Sequence, residues 1–143
     1  GHHLIYQTLY LLGMPVSLQA FKSKLVLTGM DCEDVAQINM LYSDGSVCCV
    51  MQSWASNYGD GINGIRILGD KGNLLITDAL YHSGKKLDSD VDYGNSFVNQ
   101  AKAFVQAVRE GKPPVSTLED VRNTLRITYG AYESADHSKV IHF

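Results

Sequence analysis

Residues 35–54 read VAQINMLYSDGSVCCVMQSW and predict a β-hairpin. Two runs rich in strand-forming residues, Val35–Tyr42 and Ser46–Trp54, flank a Ser-Asp-Gly turn. An Asp-Gly pair favours a tight hairpin because it tolerates the positive φ that such a turn requires. Alternation along the first strand places these residues on one face: Ala36, Ile38, Met40 and Tyr42. Antiparallel strands of this kind usually cover one face and leave the other to solvent or a partner.

Three other segments in the first half of the chain have recognisable patterns. Residues 2–12 form a broad apolar stripe typical of a short helix, and Gly13 fits its carboxyl end. Residues 16–28 alternate as a strand. A second hairpin follows, and its two strands are Ile62–Leu68 and Asn73–Thr77.

In the second half the hydrophobic period changes from that of strands to that of helices. One amphipathic helix carries the stripe Phe97, Val98, Ala101, Phe104, Val105 and Val108. We expect Phe104, at the centre of this stripe, to lie in the core. Ser116 and Glu119 match a capping box that opens the next helix, and Val140–Phe143 forms a last strand. We expect a solvated loop where these charged residues cluster: Lys85, Lys86, Asp88, Asp90 and Asp92.

Strands grouped before helices indicate an α+β fold. We expect one domain over residues 1–143, a largely antiparallel, open-faced β-sheet with helices packed on one face. The uncovered face would carry these residues: Leu41, Val50, Trp54, Ile65 and Ile67. Because uncovered apolar patches mark interfaces, we expect a homo-oligomer, most simply a homodimer, that forms through the open sheet face.

The composition argues against several classes of protein. With 45% hydrophobic and 19% charged residues, the chain suits a packed core and not a disordered segment. A net charge of −3 gives no electrostatic basis for binding nucleic acid or an anionic membrane. No apolar run reaches the length of a membrane span, and the start lacks a basic signal-peptide region. The 3 cysteines form no disulfide framework, so we expect a cytoplasmic location.

The sequence contains no motif for a metal or a dinucleotide. No His-x-x-x-His or Cys-x-x-Cys spacing occurs, so we expect no metal site. The glycine pairs Gly61/Gly64 and Gly69/Gly72 lack the Gly-x-Gly-x-x-Gly spacing that lets backbone amides approach a pyrophosphate. We therefore expect no cofactor in this chain, and a separate partner domain that binds one.

Five motifs carry a resemblance to a known family. They are GHHLIY at residues 1–6, EDVA at 33–36, ILGDKGNL at 67–74, FVQAVREGKP at 104–113 and AYESA at 131–135. In order and spacing they resemble the C-terminal domain of the glucose–fructose oxidoreductase, inositol dehydrogenase and rhizopine-catabolism (Gfo/Idh/MocA) family. The resemblance extends over most of the chain.

This resemblance implies a fold and a reaction. In such proteins an N-terminal Rossmann domain binds NAD or NADP, and the second domain supplies substrate contacts and the oligomer interface. The reaction is hydride transfer between the nicotinamide and a sugar, polyol or related alcohol. The resemblance thus implies a missing Rossmann domain as partner and a small-molecule substrate, and we expect no activity from this chain alone.

His3 matches the histidine of the family's Asp-x-x-x-His pair and is the candidate catalytic residue. An imidazole titrates near neutral pH and can exchange a proton with a substrate hydroxyl. The paired aspartate would precede Gly1, and a further aspartate common in the family is replaced by Tyr6. The alternative for His3 is a histidine at a frayed chain end.

Candidate substrate-binding residues lie near the middle of the chain. Residues 54–61 form a polar, glycine-containing segment of the type that binds ligands. Trp54 or Tyr58 could stack on a sugar ring, and Arg66 could hold a carboxylate or phosphate. The alternatives are ordinary packing for Trp54 and a solvated charge for Arg66.

These observations leave three hypotheses about function. The first is the substrate-binding and oligomerisation domain of an NAD(P)-dependent oxidoreductase. The second is a non-catalytic binding or scaffold module that retains the sheet domain. Tyr6, in place of the aspartate common in the family, supports this hypothesis. The third is an unrelated α+β enzyme, which the lack of converging His, Asp or Cys motifs disfavours.

Overall fold

The computed structural model describes residues 1–56, 63–88 and 93–143. Within them the chain forms two compact units, the first from Gly1–Ser56 with Ser116–Phe143 and the second from Asn57–Val115. Five residues named above lie outside the described residues, namely Tyr58, Gly61, Ile62, Asp90 and Asp92.

The described elements follow one another in this order: α1 (His2–Leu12), β1 (Ser17–Ser23), β2 (Val35–Leu41), β3 (Val47–Ser53), β4 (Ile65–Gly69), β5 (Gly72–Ile76), β6 (Leu80–His82), β7 (Lys85–Asp88), α2 (Tyr93–Glu110), α3 (Leu118–His137) and β8 (Ile141–His142). The predicted helix over residues 2–12 is confirmed, as are the first hairpin, formed by β2 and β3, and the last strand, β8.

The sheet of the first unit has the strand order β3-β2-β1-β8, and every pairing is antiparallel. The β2–β3 hairpin pairs Val35 with Ser53 and Leu41 with Val47. Gly45 has φ +85° in the connecting turn, the left-handed conformation that an Asp-Gly turn supplies. The local turn chemistry therefore sets the register of this hairpin.

One face of this sheet forms the core of the first unit together with α1 and α3. The buried apolar residues are Ile5, Leu9, Leu18, Ala20, Ile38, Met40, Tyr42, Val50, Ile127 and Ala131. Because side chains alternate along a strand, Leu18 and Ala20 share this face with Ile38 and Met40 opposite them. Both helices lie on this side, so neither α1 nor α3 covers the other side of the sheet, which is called the uncovered face below.

The uncovered face shares only Leu41 with the predicted set, and Ile65 and Ile67 of that set lie on β4 in the sheet of the second unit. Phe21, Leu41, Val47 and Met51 are exposed there, and of these only Leu41 was expected from the sequence. Val50 was expected on this face but is only 8% exposed and belongs to the core. It pairs with Ile38, so the alternation of β3 turns both side chains toward the helices.

The second unit contains a four-stranded antiparallel sheet in the order β4-β5-β6-β7 and the helix α2. Its first hairpin is the predicted one. The expectation of a solvated loop at Lys85, Lys86 and Asp88 is wrong, because these residues form β7 and pair with β6. Ser83 and Gly84 both have positive φ and make a tight turn there, which brings Lys85 opposite His82.

Helix α2 carries the predicted apolar stripe, but Phe104 is 59% exposed, so its placement in the core is wrong. Val105 and Val108 of the same stripe are exposed as well. A helical period shows that one face is apolar but does not show which surface covers it.

Helix α3 begins one residue later than the predicted capping box implied. The cap is Thr117, whose hydroxyl accepts from the Asp120 N–H at 3.2 Å, while the Asp120 carboxylate accepts from the Thr117 N–H at 2.8 Å. Ser116 and Glu119 have the same spacing, so the sequence offered two registers. The extended backbone of Thr117 selects the second.

The predicted class, an α+β fold with largely antiparallel strands and helices on one face, is confirmed. The strands divide into two sheets where a single sheet was expected. The assignment of residues 1–143 to one domain stays a prediction. No helix among the described residues is both long and apolar enough to cross a membrane.

Candidate ligand-binding site

The first unit contains a cavity of about 320 Å³ at the amino end of α1. Sheet and helix residues give it an apolar floor: Ile5, Ala20, Ile38, Val50 and Ala131. Polar side chains also line it: His2, Lys22, Glu33, Gln52 and Tyr132. An apolar concave surface with a few polar groups is the usual form of a small-molecule site.

Trp54 lines this cavity, and its side chain is 63% exposed. Its backbone N–H donates to the carbonyl of Asp34 at 2.7 Å, directly after the Val35–Ser53 pair of the hairpin. The hydrogen bond continues the β2–β3 ladder by one residue and so holds Trp54 beside the cavity. An exposed indole in this position can stack on the apolar face of a sugar ring.

Asp34 anchors the segment between β1 and β2. Its carboxylate Oδ2 accepts from the backbone N–H groups of Leu25, Val26 and Leu27 at 3.1, 2.7 and 2.8 Å. These hydrogen bonds lower the pKa of the Asp34 carboxyl below its ordinary value, and the bond from the Leu27 N–H has the largest effect, with that from Val26 second. Because the side chain is buried and engaged with backbone, Asp34 shapes the wall of the cavity and is not free to bind a ligand.

Two polar pairs connect β1 and the β1–β2 segment to α3 at the cavity. The Tyr132 hydroxyl donates to Glu33 Oε1 at 2.8 Å, and this bond is the main cause that raises the pKa of Tyr132. Lys22 Nζ lies 2.6 Å from Asp136 Oδ1 and 5.1 Å from the centre of the Tyr132 ring. The ammonium of Lys22 is therefore already paired with a carboxylate and an aromatic face.

His3 lies in the first turn of α1 and is exposed. Its ring centroid is 4.5 Å from that of His2, and it is His2 that lines the cavity. In the first unit, Trp54 therefore lines the cavity, whereas His3 is the residue that follows the lining residue His2 in the sequence. The role predicted for His3 stays a prediction.

Arg66 lies on β4 in the second unit and is exposed. It lines a shallow groove on that sheet together with Asn73 and Tyr81. Its predicted role in substrate binding stays a prediction, as does that of Tyr58.

Sequence reasoning missed Lys22, Glu33, Asp34 and Tyr132 as functional candidates. Three of them, Glu33, Asp34 and Tyr132, stood in motifs that carried the family resemblance, EDVA at 33–36 and AYESA at 131–135, but those motifs were assigned no role. The pairing of Glu33 with Tyr132 spans 99 positions, so no local pattern could have predicted it.

The described residues offer no cluster of three or more His, Cys, Asp or Glu side chains that could hold a metal. The Gly69–Gly72 segment also does not fit a dinucleotide. It joins two antiparallel strands, β4 and β5, and no helix follows it to present amide groups to a pyrophosphate. This segment therefore lacks the amides that would hold the pyrophosphate of a nicotinamide cofactor.

The fold and the cavity together define an α+β domain whose antiparallel strands and helices line a small-molecule-sized space. The sequence model of the GFO/IDH/MocA C-terminal domain matches residues 1–75, just over half of the 143-residue chain. The chain belongs to this family, and the resemblance seen in its motifs is confirmed.

Solved structures agree with this fold. The chain matches an aldose-aldose oxidoreductase from Caulobacter crescentus complexed with glycerol, with TM-score 0.85 and 19% identity over 100% of this chain and 46% of that one. It also matches an Agrobacterium radiobacter oxidoreductase in complex with NAD+, L-tartaric acid and magnesium, with TM-score 0.80 and 19% identity over 99% of this chain and 47% of that one.

A third match is the WlbA dehydrogenase from Bordetella pertussis in complex with NADH and UDP-GlcNAcA, with TM-score 0.79 and 17% identity over 99% of this chain and 46% of that one. The chain thus spans about half the length of the solved structures that it matches. Among curated proteins, none matches the chain.

Proposed function

We propose that this chain is the substrate-binding and oligomerisation domain of an NAD(P)-dependent oxidoreductase that acts on a sugar, polyol or related alcohol. The observation that carries the proposal is the cavity at the amino end of α1, with Trp54 exposed beside it. An aromatic ring next to hydrogen-bonding side chains suits a ligand that has both apolar ring faces and hydroxyl groups.

In this proposal NAD or NADP binds to a separate Rossmann domain, and catalysis requires both domains. Support comes from the NAD+ and NADH present in two of the similar structures. His3 is the proposed group that exchanges a proton with the substrate hydroxyl, because an imidazole can act as a general acid or base and His3 is next to His2, which lines the cavity.

The proposed oligomer forms through the uncovered sheet face of the first unit. Phe21, Leu41, Val47 and Met51 expose apolar area there, with the polar Gln37 and Asn39 between them. A mixed face of this kind is typical of an interface between identical subunits related by a two-fold axis.

Ligand binding can be tested with the intrinsic fluorescence of the chain, because Trp54 is its only tryptophan. Titration with a panel of hexoses, inositols and linear polyols should change the emission saturably for at least one compound. Calorimetry should then show that Trp54→Ala weakens binding of that compound by roughly three- to tenfold, and that Trp54→Phe, which keeps an aromatic ring, weakens it less. Absence of saturable binding across the panel would contradict the proposal.

A second candidate function is a non-catalytic binding or scaffold module. It is favoured by Tyr6, which stands on α1 where the family often has an aspartate. The parent protein distinguishes the two functions: an oxidoreductase should reduce NAD or NADP with the compound that binds this cavity, whereas a module should bind the compound without turnover.

A further inference from the structure

We infer that the cavity of the first unit selects uncharged sugars or polyols over their carboxylic acid counterparts, and that Glu33 determines this specificity. The inference rests on the proposed function, because it names the ligand class of the same cavity. It follows from the charges that line the cavity and from the partners that those charges already have.

The lysine side chain that lines the cavity is already paired. Lys22 Nζ is held by Asp136 at 2.6 Å, and its side chain is packed against the ring of Tyr132. An incoming carboxylate would share an ammonium whose charge is already partly neutralised by Asp136. The cavity therefore stabilises a bound acid less than it would if Lys22 had no carboxylate partner.

The acidic side chains at the cavity differ in what they can still bind. Asp34 is occupied by three backbone N–H groups, as described above. Glu33 accepts the Tyr132 hydroxyl through Oε1, and a carboxylate has acceptor sites on both oxygens. Glu33 can thus accept a further hydrogen bond from a ligand hydroxyl while it remains fixed by Tyr132.

Neutral polyols and sugar acids interact differently with Glu33 and Lys22. A neutral polyol donates hydroxyl hydrogens to Glu33 in a charge-assisted bond. The carboxylate of a sugar acid cannot donate, and it carries the same charge as Glu33 in a partly desolvated site. Repulsion of this kind should reduce the affinity for the acid by about tenfold or more.

The amino end of α1 acts in the opposite direction, but its effect is smaller. Its partial positive charge favours an anion by roughly two- to fivefold at an exposed helix end. Its N–H groups also donate to neutral hydroxyl oxygens. The full charge of Glu33 should outweigh this partial charge.

The test uses matched ligand pairs that differ only in the oxidation of C6, namely glucose with glucuronate and galactose with galacturonate, at constant ionic strength. Trp54 fluorescence reports binding to the 143-residue chain. We expect the neutral member of a pair to bind at least about tenfold more tightly than the acid. In Glu33→Gln this ratio should fall below about threefold, because the amide keeps the acceptor for Tyr132 but loses the charge.

Two further variants separate the charge of Glu33 from general effects. Asp31→Asn removes a carboxylate from an exposed residue that does not line this cavity, so the ratio should stay as in the wild type. Asp136→Asn releases Lys22 and should raise the affinity for the acid by roughly three- to tenfold while leaving the neutral sugar unchanged. This variant tests the charge balance even if Glu33→Gln folds poorly.

The outcomes are distinguishable. A wild-type chain that binds the acid as tightly as the neutral sugar, or more tightly, overturns this inference and leaves the proposed function intact. A ratio that is unchanged in Glu33→Gln and in Asp136→Asn overturns the role of Glu33. Lack of binding by every sugar and sugar acid overturns the proposed function and this inference with it.

Discussion

The hydroxyl of Ser134 lies between the backbones of β1 and of the residues just before β8. It accepts from the Ala20 N–H at 2.9 Å and donates to the Lys139 carbonyl at 2.5 Å. The pairs Ser17–His142 and Leu18–Ile141 define a register that would bring Ala20 opposite Lys139. Ser134 thus bridges two backbone groups at the position where the β1–β8 ladder ends.

Ser134→Ala should lower the free energy of unfolding by about 1–3 kcal/mol. The Ala20 N–H would be left buried without its acceptor, and an unsatisfied buried donor costs about that much. Urea denaturation followed by circular dichroism measures the change. Ser43→Ala, at an exposed turn position, is the control and should change stability by less than about 0.5 kcal/mol. Equal effects of the two variants would contradict a bridging role for Ser134.

Asp34→Asn should remove part of the pH dependence of stability. The folded-state pKa of Asp34 lies below its ordinary value of 3.8, so its carboxylate stabilises the folded chain above that pH. The stabilisation is lost as the pH falls through the folded pKa. The difference in unfolding free energy between wild type and variant should therefore be largest near neutral pH and shrink below about pH 4.

Urea titrations at a series of pH values measure this difference. Ser134→Ala serves as the control, because the residue does not titrate and its difference from the wild type should not vary with pH. A difference for Asp34→Asn that is constant from neutral to acidic pH would contradict stabilisation by the charged carboxylate.

Thr117→Ala and Ser116→Ala should differ in their effects on stability. Thr117 caps α3 through its hydroxyl, so its replacement should lower the free energy of unfolding by about 1 kcal/mol. Ser116 is exposed and lies outside the cap, so its replacement should cost less than about 0.5 kcal/mol. Thermal unfolding of both variants measures these losses. A larger loss in Ser116→Ala than in Thr117→Ala would show that Ser116 is the cap, as predicted from the sequence.

Gly72→Ala should destabilise the β4–β5 hairpin of the second unit. Gly72 has φ +138°, and a Cβ there would overlap with the imidazole of His82 and come within 2.9 Å of the Ser83 hydroxyl oxygen. The backbone strain alone costs about 1–3 kcal/mol. Hydrogen exchange of the Leu74 and Leu75 amides should accelerate accordingly.

A second substitution separates the effect of the overlap with His82 from the effect of backbone strain at Gly72. Adding His82→Ala should relieve the overlap but leave the backbone strain, so protection should recover only in part. Gly29→Ala is a matched control, because a Cβ at Gly29 meets no atom within 4 Å. If Gly72→Ala and Gly29→Ala have the same effect, the close approach of His82 is unimportant.

Met51→Lys and Val50→Lys should act on different properties although the residues are adjacent. Met51 is 63% exposed on the uncovered sheet face, so a charge there should weaken self-association and leave the fold intact. Val50 is 8% exposed in the core, so a charge there should destabilise the fold by several kcal/mol. Sedimentation equilibrium measures association, and thermal unfolding measures stability. A wild-type chain that is monomeric at about 100 μM would contradict association through this face.

Patterns over a few residues were enough to predict much of the fold. The Asp44-Gly45 turn and the alternation around it correctly predicted the first hairpin, because turn conformation and strand faces depend on near neighbours. The helical period of residues 97–108 correctly predicted a helix, now α2. It did not predict the exposure of Phe104, because burial depends on a surface from elsewhere in the molecule.

The candidate site was predictable only in part. Trp54 was chosen because it ends a strand and begins a polar segment, and the structure places it at a cavity. Glu33 and Lys22 were not chosen, because their importance depends on Tyr132 and Asp136, which approach from α3.

The sequence by itself determined the family, the α+β class, the two hairpins and the helical segments. Each of these depends on composition, on short motifs or on the periodicity of neighbouring residues. Only the tertiary structure decided which sheet face is covered, where Val50 points and how Ser134 meets Ala20. These features depend on contacts between residues far apart in the chain, and folding alone brings such residues together.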